Sequence, residues 1–362
     1  MAKIRVLVVD DAVVVRKIVT DVLSADPDIE VIGTAPNGKI ALSKIDQLKP
    51  DLVTLDVEMP EMDGLAALKA LRISHPILPV IMFSTLTERG AATTIDALML
   101  GANDYVTKPA NVGSVMAAMA QVRDQLIPKV KALCGRSPAV QTQRRLPTRA
   151  PMSGVANRPS ARPGRIDVVA IGVSTGGPNA LAEVFRSLPA NLPVPIVVVQ
   201  HMPPNFTRLL AERLDSRSPM RVAEARSGQP MEPGLAWVAP GDNHLVVRRS
   251  GTSVQVMTNK GPAENSCRPA VDTLFRSVID VYSPNVLGVV MTGMGHDGLQ
   301  GCELIRNAGG QVIIQDEASS IVWGMPGAVA HAGLADKILP LSRISAEIIA
   351  RSQVGRAMVG QR

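Results

Sequence analysis

The stretch RIDVVAIGVSTGGPNALAEVF, residues 165–185, changes its hydrophobic period in the middle. A continuous apolar run, VVAIGV, enters a glycine-rich turn, and the NALAEVFRSL that follows spaces its apolar residues along one helical face. A strand that stops in a turn and resumes as a helix is half of a β–α–β unit. The next apolar run, PIVVVQH (195–201), supplies the second strand.

The same alternation fills the amino-terminal third of the chain. IRVLVV (4–9), EVIGTA (30–35), LVTL (52–55), PVIMF (79–83) and DYVT (104–107) read as strands, and VVVRKIVTDVL (13–23) and TTIDALML (93–100) carry helical spacing. Strands alternating with helices imply parallel sheets covered on both faces. A chain of 362 residues also exceeds what one core usually supports. The expected fold class is therefore α/β, with two doubly wound parallel-sheet domains at 1–125 and 166–355. Residues 126–165 between them include PKVKALCGRSPAVQTQRRLPTRAPMSGVANRPSARPGR, rich in Pro, Arg, Ser and Ala and without apolar periodicity. Such a composition buries too little surface to offset the entropy of ordering, so it is expected to be a flexible basic tether.

Composition narrows the function classes. The net charge of +6 gathers largely in the tether, and aromatic residues are only 2% of the chain, so the basic excess comes without a stacking platform or recognition helix for nucleic acid. No apolar run reaches membrane-spanning length, and the start MAKIRVLVVDD lacks the layout of a signal peptide. Cys134, Cys267 and Cys302 are odd in number and lack metal-ligand spacing, which fits reduced, structural thiols and a cytoplasmic location.

In the opening stretch Gly172, Ser174 and Gly176 satisfy G-x-S-x-G in a strand–turn–helix setting, which lifts a hydroxyl toward the N–H groups of a helix start. Such a loop can also cradle phosphate, although this one fits neither G-x-G-x-x-G nor the Walker pattern. A serine nucleophile needs a base. Of the five histidines, His75 lies in the first domain, His244 in a β-rich connection and His331 after a helical stretch, whereas His201 ends the strand after the serine turn and emerges at the same sheet edge. NVLGVVMTGMGHDG (285–298) is another strand that dissolves into glycines and presents Asp297 there. Asp297 can orient the imidazole, and the N–H groups of Met294 or Gly295 can face an oxyanion. Neighbouring side chains on an extended loop diverge, so His296 and Asp297 cannot both face the serine.

The first domain collects its own polar groups at strand ends. Asp10 and Asp11 end the first strand, Asp56 the third (in LDVEMPEMDG), Ser84 the fourth and Lys108 the fifth. Converging carboxylates call for a hard cation, and their oxygen donors suit Mg²⁺.

This constellation resembles the response-regulator receiver domain over roughly residues 1–125. The resemblance implies that Asp56 accepts a phosphoryl group from a histidine kinase. It also implies that Asp10, Asp11 and Asp56, with the Glu58 main-chain carbonyl, hold Mg²⁺, and that Ser84 and Lys108 respond to the phosphoryl group with Tyr105 as switch aromatic. Ala12 departs from the Ser that many receivers carry there. Over roughly residues 166–350, IGVSTGG, QHMPPNFTRLLAERL, APGDNH, RPAVDTLF and MTGMGHDG resemble the catalytic domain of the chemotaxis protein-glutamate methylesterase family. That likeness implies a triad of Ser174, His201 and Asp297, with Thr175 matching the residue after the nucleophile. It implies hydrolysis of methyl-glutamyl side chains on chemoreceptors without a metal, related glutamine deamidation, and a receiver that covers the catalytic edge until phosphorylated. A binding module with no catalysis is the rival from another class, and it requires Ser174 to be replaceable by Ala without effect.

Overall fold

Five parallel strands form the first sheet of the computed structural model, which describes residues 2–109, 114–135 and 164–356. They are β1 (Ile4–Val9), β2 (Ile29–Ala35), β3 (Leu52–Asp56), β4 (Val80–Ser84) and β5 (Asp104–Thr107), in the order β2-β1-β3-β4-β5. Between them run α1 (Val13–Ser24), α2 (Gly38–Leu48), α3 (Gly64–Ser74) and α4 (Glu88–Met99), and α5 (Val115–Leu133) follows. Side chains alternate across each strand, so one face buries Ile4, Val6 and Val8 under α1 and α5, while the other buries Leu7 and Val9 under α2, α3 and α4. The order reverses at β1, which opens a crevice at the carboxyl ends of β1 and β3. Asp10 and Asp56 stand in it.

The expected start of the tether is corrected by α5. The helix continues past residue 125 to Leu133 with Pro128 inside it, because Val122, Leu126 and Val130 form an apolar stripe packed on α1 and the sheet. Lys131 adds ion pairs of 2.9 Å to both Asp26 and Asp28. The remaining tether, 136–163, lies outside the described residues.

The second part begins with β6 (Val168–Val173), α6 (Gly177–Arg186), β7 (Ile196–Gln200), α7 (Phe206–Asp215), β8 (Arg221–Glu224), β9 (Gln229–Pro230) and β10 (Leu235–Val238). A hairpin of β11 (His244–Ser250) and β12 (Ser253–Asn259) comes next, followed by α8 (Val271–Tyr282) and β13 (Val286–Val290). The described residues close with α9 (Leu299–Asn307), β14 (Gln311–Gln315), α10 (Met325–His331), β15 (Lys337–Leu339) and α11 (Leu341–Ser352). Seven strands make a second parallel sheet in the order β15-β14-β13-β6-β7-β10-β8, and β11-β12-β9 form a small antiparallel one. The strand order reverses at β6: β7 lies on one side of it and β13 on the other. This is where an open α/β sheet places its site.

The two sheets are not separate bodies. One continuous apolar cluster runs from Leu98, Ala102 and Tyr105 to Phe206 and Leu210, and the Tyr105 ring stacks on Phe206 with centroids 4.8 Å apart and 12° between planes. Arg213 grips both oxygens of Asp96 at 2.8 and 2.9 Å, and Arg208 reaches Glu88 at 2.6 Å. Among the described residues no helix is long and apolar enough to cross a membrane.

Candidate active site

Ser174 leaves β6 in a turn that its neighbours hold on every side. Its N–H donates to Thr292 O at 3.0 Å, its carbonyl accepts from Gly177 N at 2.8 Å and Gln200 Nε2 at 3.0 Å, and Thr292 Oγ1 donates to Thr175 O. Gly176 adopts φ +77 as the N-cap of α6, a conformation that costs a side-chain-bearing residue about 1 kcal/mol or more. Gly293 serves by close approach, since a Cβ there would stand 2.8 Å from Ser174 Cβ and 2.4 Å from Met325 Sδ. The glycines of MTGMGHDG thus let that loop lie against the serine turn.

His201 follows β7, and Asp297 follows β13, so the three residues come from three adjacent strands. His201 Nε2 lies 2.8 Å from Asp297 Oδ2. Asp297 is 3% exposed, yet it accepts from Asn265 Nδ2 (2.9 Å) and from the N–H groups of Val271 (2.7 Å) and Asp272 (3.1 Å) in the first turn of α8. Burial alone would raise its pKa, but the His201 contact and the two backbone donors outweigh it and hold the carboxyl below its ordinary value. His201 responds in the opposite sense. Burial disfavours its charge, while the bond to Asp297, helped by Cys267, lifts its pKa to about 9.

Ser174, Thr175, His201, Cys267 and Met294 line one cleft of about 520 Å³. Among the described residues no hydrogen bond links the Ser174 hydroxyl to His201, and Cys267 Sγ stands 3.6 Å from the other ring nitrogen, Nδ1. The N–H groups of Thr175 and Met294 donate to no described protein group, which leaves both free to face an oxyanion. His296 is exposed, whereas Asp297 is buried. His244 is buried and engaged by Pro262 O and Ala270 N, outside the site. Cys267 corrects the expectation of purely structural thiols, because it faces the imidazole; Cys302 alone is fully buried, its thiol pushed above the usual range by burial.

The far wall of this cleft belongs to the first domain. Asp104, Tyr105, Gln125 and Lys129 line it, on β5 and α5. Asp104 Oδ2 accepts from Thr175 Oγ1 at 2.8 Å while Oδ1 pairs with Lys129 at 2.8 Å, and Asn179 on α6 donates to Ala102 O at 3.2 Å. Asp104, Asn265 and the α8 amino terminus are contributors that the sequence reading did not single out. RPAVDTLF carries the signal for the last of these, a proline just ahead of an apolar helix.

In the first domain Lys108 Nζ lies 2.9 Å from Asp10 Oδ2 and 2.7 Å from Asp56 Oδ2. Oxygens of Asp10, Asp11 and Asp56 lie within 4.8 Å of one another, a hard donor set that fits Mg²⁺. Burial and the neighbouring Asp10 raise Asp56 to about 6 against the pull of Lys108. Lys108 is itself raised, its burial outweighed by the two carboxylates. The Glu58 side chain is exposed and faces Arg89 at 3.7 Å, and the residue borders the crevice beside Asp11. Ser84 is not turned toward Asp56: its hydroxyl donates to the carbonyls of Thr85 and Gly90 and accepts from Thr94. Tyr105 sits in the seam between the two sheets rather than at the crevice.

Residues 169–348 match the family model for the CheB methylesterase, and residues 6–120 match that for the response regulator receiver domain. A protein-glutamate methylesterase/protein-glutamine glutaminase of Trichodesmium erythraeum is 54% identical over 353 residues, 97% of this chain and 99% of that protein. One of the same description from a Nocardioides species is also 54% identical, across 97% and 96% of the two chains. The crystal structure of the Thermotoga maritima CheB methylesterase catalytic domain matches with a TM-score of 0.50 at 42% identity, covering 52% of this chain and 99% of that one. With near-complete coverage of relatives more than half identical, the chain belongs to the CheB methylesterase family and carries its catalytic domain behind a response-regulator receiver.

Proposed function

We propose that this chain removes methyl groups from glutamyl esters on chemoreceptors, deamidates receptor glutamines by the same chemistry, and is switched on by phosphorylation of Asp56. The observation that carries the reading is that His201, bonded to Asp297, lines one cleft with Ser174, which stands at the amino terminus of α6.

Ser174 Oγ attacks the ester carbonyl and gives its proton to His201. Asp297 occupies Nε2, so Nδ1 is the nitrogen that receives it. The imidazolium formed is stabilised by Asp297, whose own orientation is kept by α8 and Asn265. Thr175 and Met294 N–H groups hold the developing oxyanion. Collapse breaks the bond to methoxide, which leaves as methanol with the proton from His201, and water then releases the glutamate carboxylate by the reverse proton path. With a glutamine substrate the leaving group is ammonia.

Asp56 attacks the phosphoryl group of a histidine kinase, with Asp10, Asp11, Asp56 and the Glu58 carbonyl as the residues that would hold Mg²⁺. The cation supplies charge neutralisation on the transferring phosphoryl oxygens. Lys108 pairs with the same oxygens, and Ser84 turns from its α4 contacts toward them. In the resting arrangement α4, β5 and α5 wall the cleft, and release of the Tyr105–Phe206 and Asp104–Thr175 contacts opens it. The enzyme acts in the cytoplasm on the receptor's cytoplasmic domain.

Methanol release from methylated receptor, measured for the intact chain and for Ser174→Ala, tests the hydrolytic assignment. Loss of release in the variant is expected, and unchanged release would leave only the binding-module reading. Free methyl glutamate should be a poor substrate, because the cleft offers the methyl group itself little to grip.

A further inference from the structure

Hydrolysis uses His201 together with Asp297 and leaves Cys267 without a task, yet the protein fixes that thiol with care. Glu264 and Cys267 exchange backbone hydrogen bonds, Glu264 N to Cys267 O at 3.0 Å and Cys267 N to Glu264 O at 2.8 Å. The two residues between them, Asn265 and Ser266, both take left-handed conformations with φ of 51° and 62°. Backbone of this kind in residues with side chains persists only where the surroundings over-determine it. The tight turn carries Cys267 Sγ to 3.6 Å from His201 Nδ1.

That spacing has a meaning in coordination chemistry. Zinc holds imidazole nitrogen at roughly 2.0–2.1 Å and thiolate sulfur at roughly 2.3 Å in tetrahedral geometry, which sets two such ligands about 3.6 Å apart. His201 Nδ1 and Cys267 Sγ already stand at that separation. The opposite nitrogen of the ring bonds a buried carboxylate, Asp297, which is in turn held by two backbone N–H groups and an amide. A carboxylate behind a histidine is the outer support that orients a metal-ligating imidazole and raises its basicity. His201, Cys267 and Asp297 together bring ligating atoms within 4.8 Å of one another, and His201 and Cys267 open on a second, adjoining cleft beside Pro203 and Arg268.

We propose that His201 and Cys267 form an inhibitory site for a thiophilic divalent cation, Zn²⁺ being the ion that fits, with Asp297 as the carboxylate behind the histidine. Binding forms one bond to His201 Nδ1 and one to sulfur, and both the Nδ1 proton, carried by the ring below pH about 9, and the thiol proton leave to solvent. The Nδ1 lone pair then holds metal and can no longer take the Ser174 proton. Two protein ligands are fewer than the three or four of a resident zinc site, so occupancy is reversible and follows the free metal level. Mg²⁺ prefers oxygen donors and is directed to the Asp56 crevice instead. The inhibition rests on the reading of His201 as the base, whereas the binding does not.

Titration of the full-length chain with Co²⁺, a spectroscopic stand-in for Zn²⁺, reads the site directly. A thiolate-to-cobalt charge-transfer absorption is expected in the unaltered protein, in Ser174→Ala and in Cys134→Ser, and its loss is expected in Cys267→Ser and Cys267→Ala. In parallel, Zn²⁺ should inhibit methanol release reversibly, chelator restoring the rate, and Cys267→Ser should need about tenfold more Zn²⁺ for the same inhibition. Retention of the absorption in both Cys267 variants, or Zn²⁺ inhibition unmoved by them, overturns the proposal. An absorption that persists in Ser174→Ala while that variant still releases methanol would overturn the hydrolytic reading and leave the metal site standing.

Discussion

Asp56 and Asp297 are buried almost equally, 2% and 3% exposed, the one ending a strand of a parallel sheet and the other in the loop after one, and their acidities move in opposite directions. Asp56 shares one ammonium with Asp10 and is raised to about 6, whereas Asp297 collects His201, Asn265 and two backbone N–H groups and is lowered. The difference lies in the donors supplied by the next element. An under-supplied carboxylate is energetically expensive and poised to take a cation or a phosphoryl group. A fully supplied one is inert and serves to orient a neighbour.

The comparison is broken most directly through the satisfied carboxylate. Asp297→Asn keeps the shape but favours the wrong imidazole tautomer, so the ester hydrolysis rate should fall by on the order of 10⁴ with folding intact. Ser174→Ala and His201→Ala should each cost several orders of magnitude, and the double variant little more, as read from single-turnover methanol release. Strict additivity would dissolve the triad into independent contributions.

The seam between the sheets comes next in size. A chain beginning at Arg165 loses Asp104, Tyr105 and the rest of the far wall, and its basal rate should exceed that of the unphosphorylated whole by about tenfold, equivalent to ~1.4 kcal/mol of coupling. Asp56→Ala in the whole chain should remain unresponsive to phosphodonor. A truncated enzyme no faster than the intact one would mean that the receiver acts by stimulation. Arg213→Ala tests the same seam more gently. The pair is partly exposed, so its loss should raise basal activity only about two- to fivefold, in line with ~0.5–1 kcal/mol.

Electrostatics sharpen the contrast without a mutation. Because Asp56 is raised in the folded chain, its stabilising contribution is fully present below about 3.8 and is lost as pH rises through about 6. Asp297, being lowered, contributes above its ordinary range and loses that contribution on acidification. Mg²⁺ should therefore raise the melting temperature more at pH 7.5 than at pH 5, and the increment should vanish in Asp56→Asn. His201, raised to about 9, contributes stability fully below 6.5 and loses it as pH climbs through 9. The resting enzyme's rate should climb over that upper interval as the imidazole gives up its proton, and a flat profile from pH 7 to 9 would count against the pair.

Much of both centres was legible in the sequence because strand ends in a parallel sheet converge on one edge. Asp10, Asp56, Lys108, Ser174, His201 and Asp297 each follow an apolar run directly or across a glycine turn, and sheet order brings them together. What escaped the sequence depends on pairing at a distance. Asn265 reaches Asp297 from a loop 32 residues upstream, and Asp104 meets Thr175 across 71 residues, with no periodicity to announce either. The end of α5 escaped for a local reason. Pro128 marks a breaker in the sequence, but the stripe of Val122, Leu126 and Val130 anchors the helix on both sides of it.

The Asp104–Thr175 hydrogen bond has a consequence for information flow. Thr175 belongs to the hydrolytic turn and Asp104 to the signal-receiving domain, so one bond is counted in the energy of both. If phosphorylation at Asp56 favours the arrangement in which that bond is broken, and a receptor segment wedged into the cleft favours the same arrangement, then the factor by which phosphorylation tightens substrate binding is also the factor by which bound substrate favours phosphorylation. Substrate therefore acts back on the input as a load: crowded with methylated receptor, the enzyme should hold its phosphorylated form more readily than it does alone.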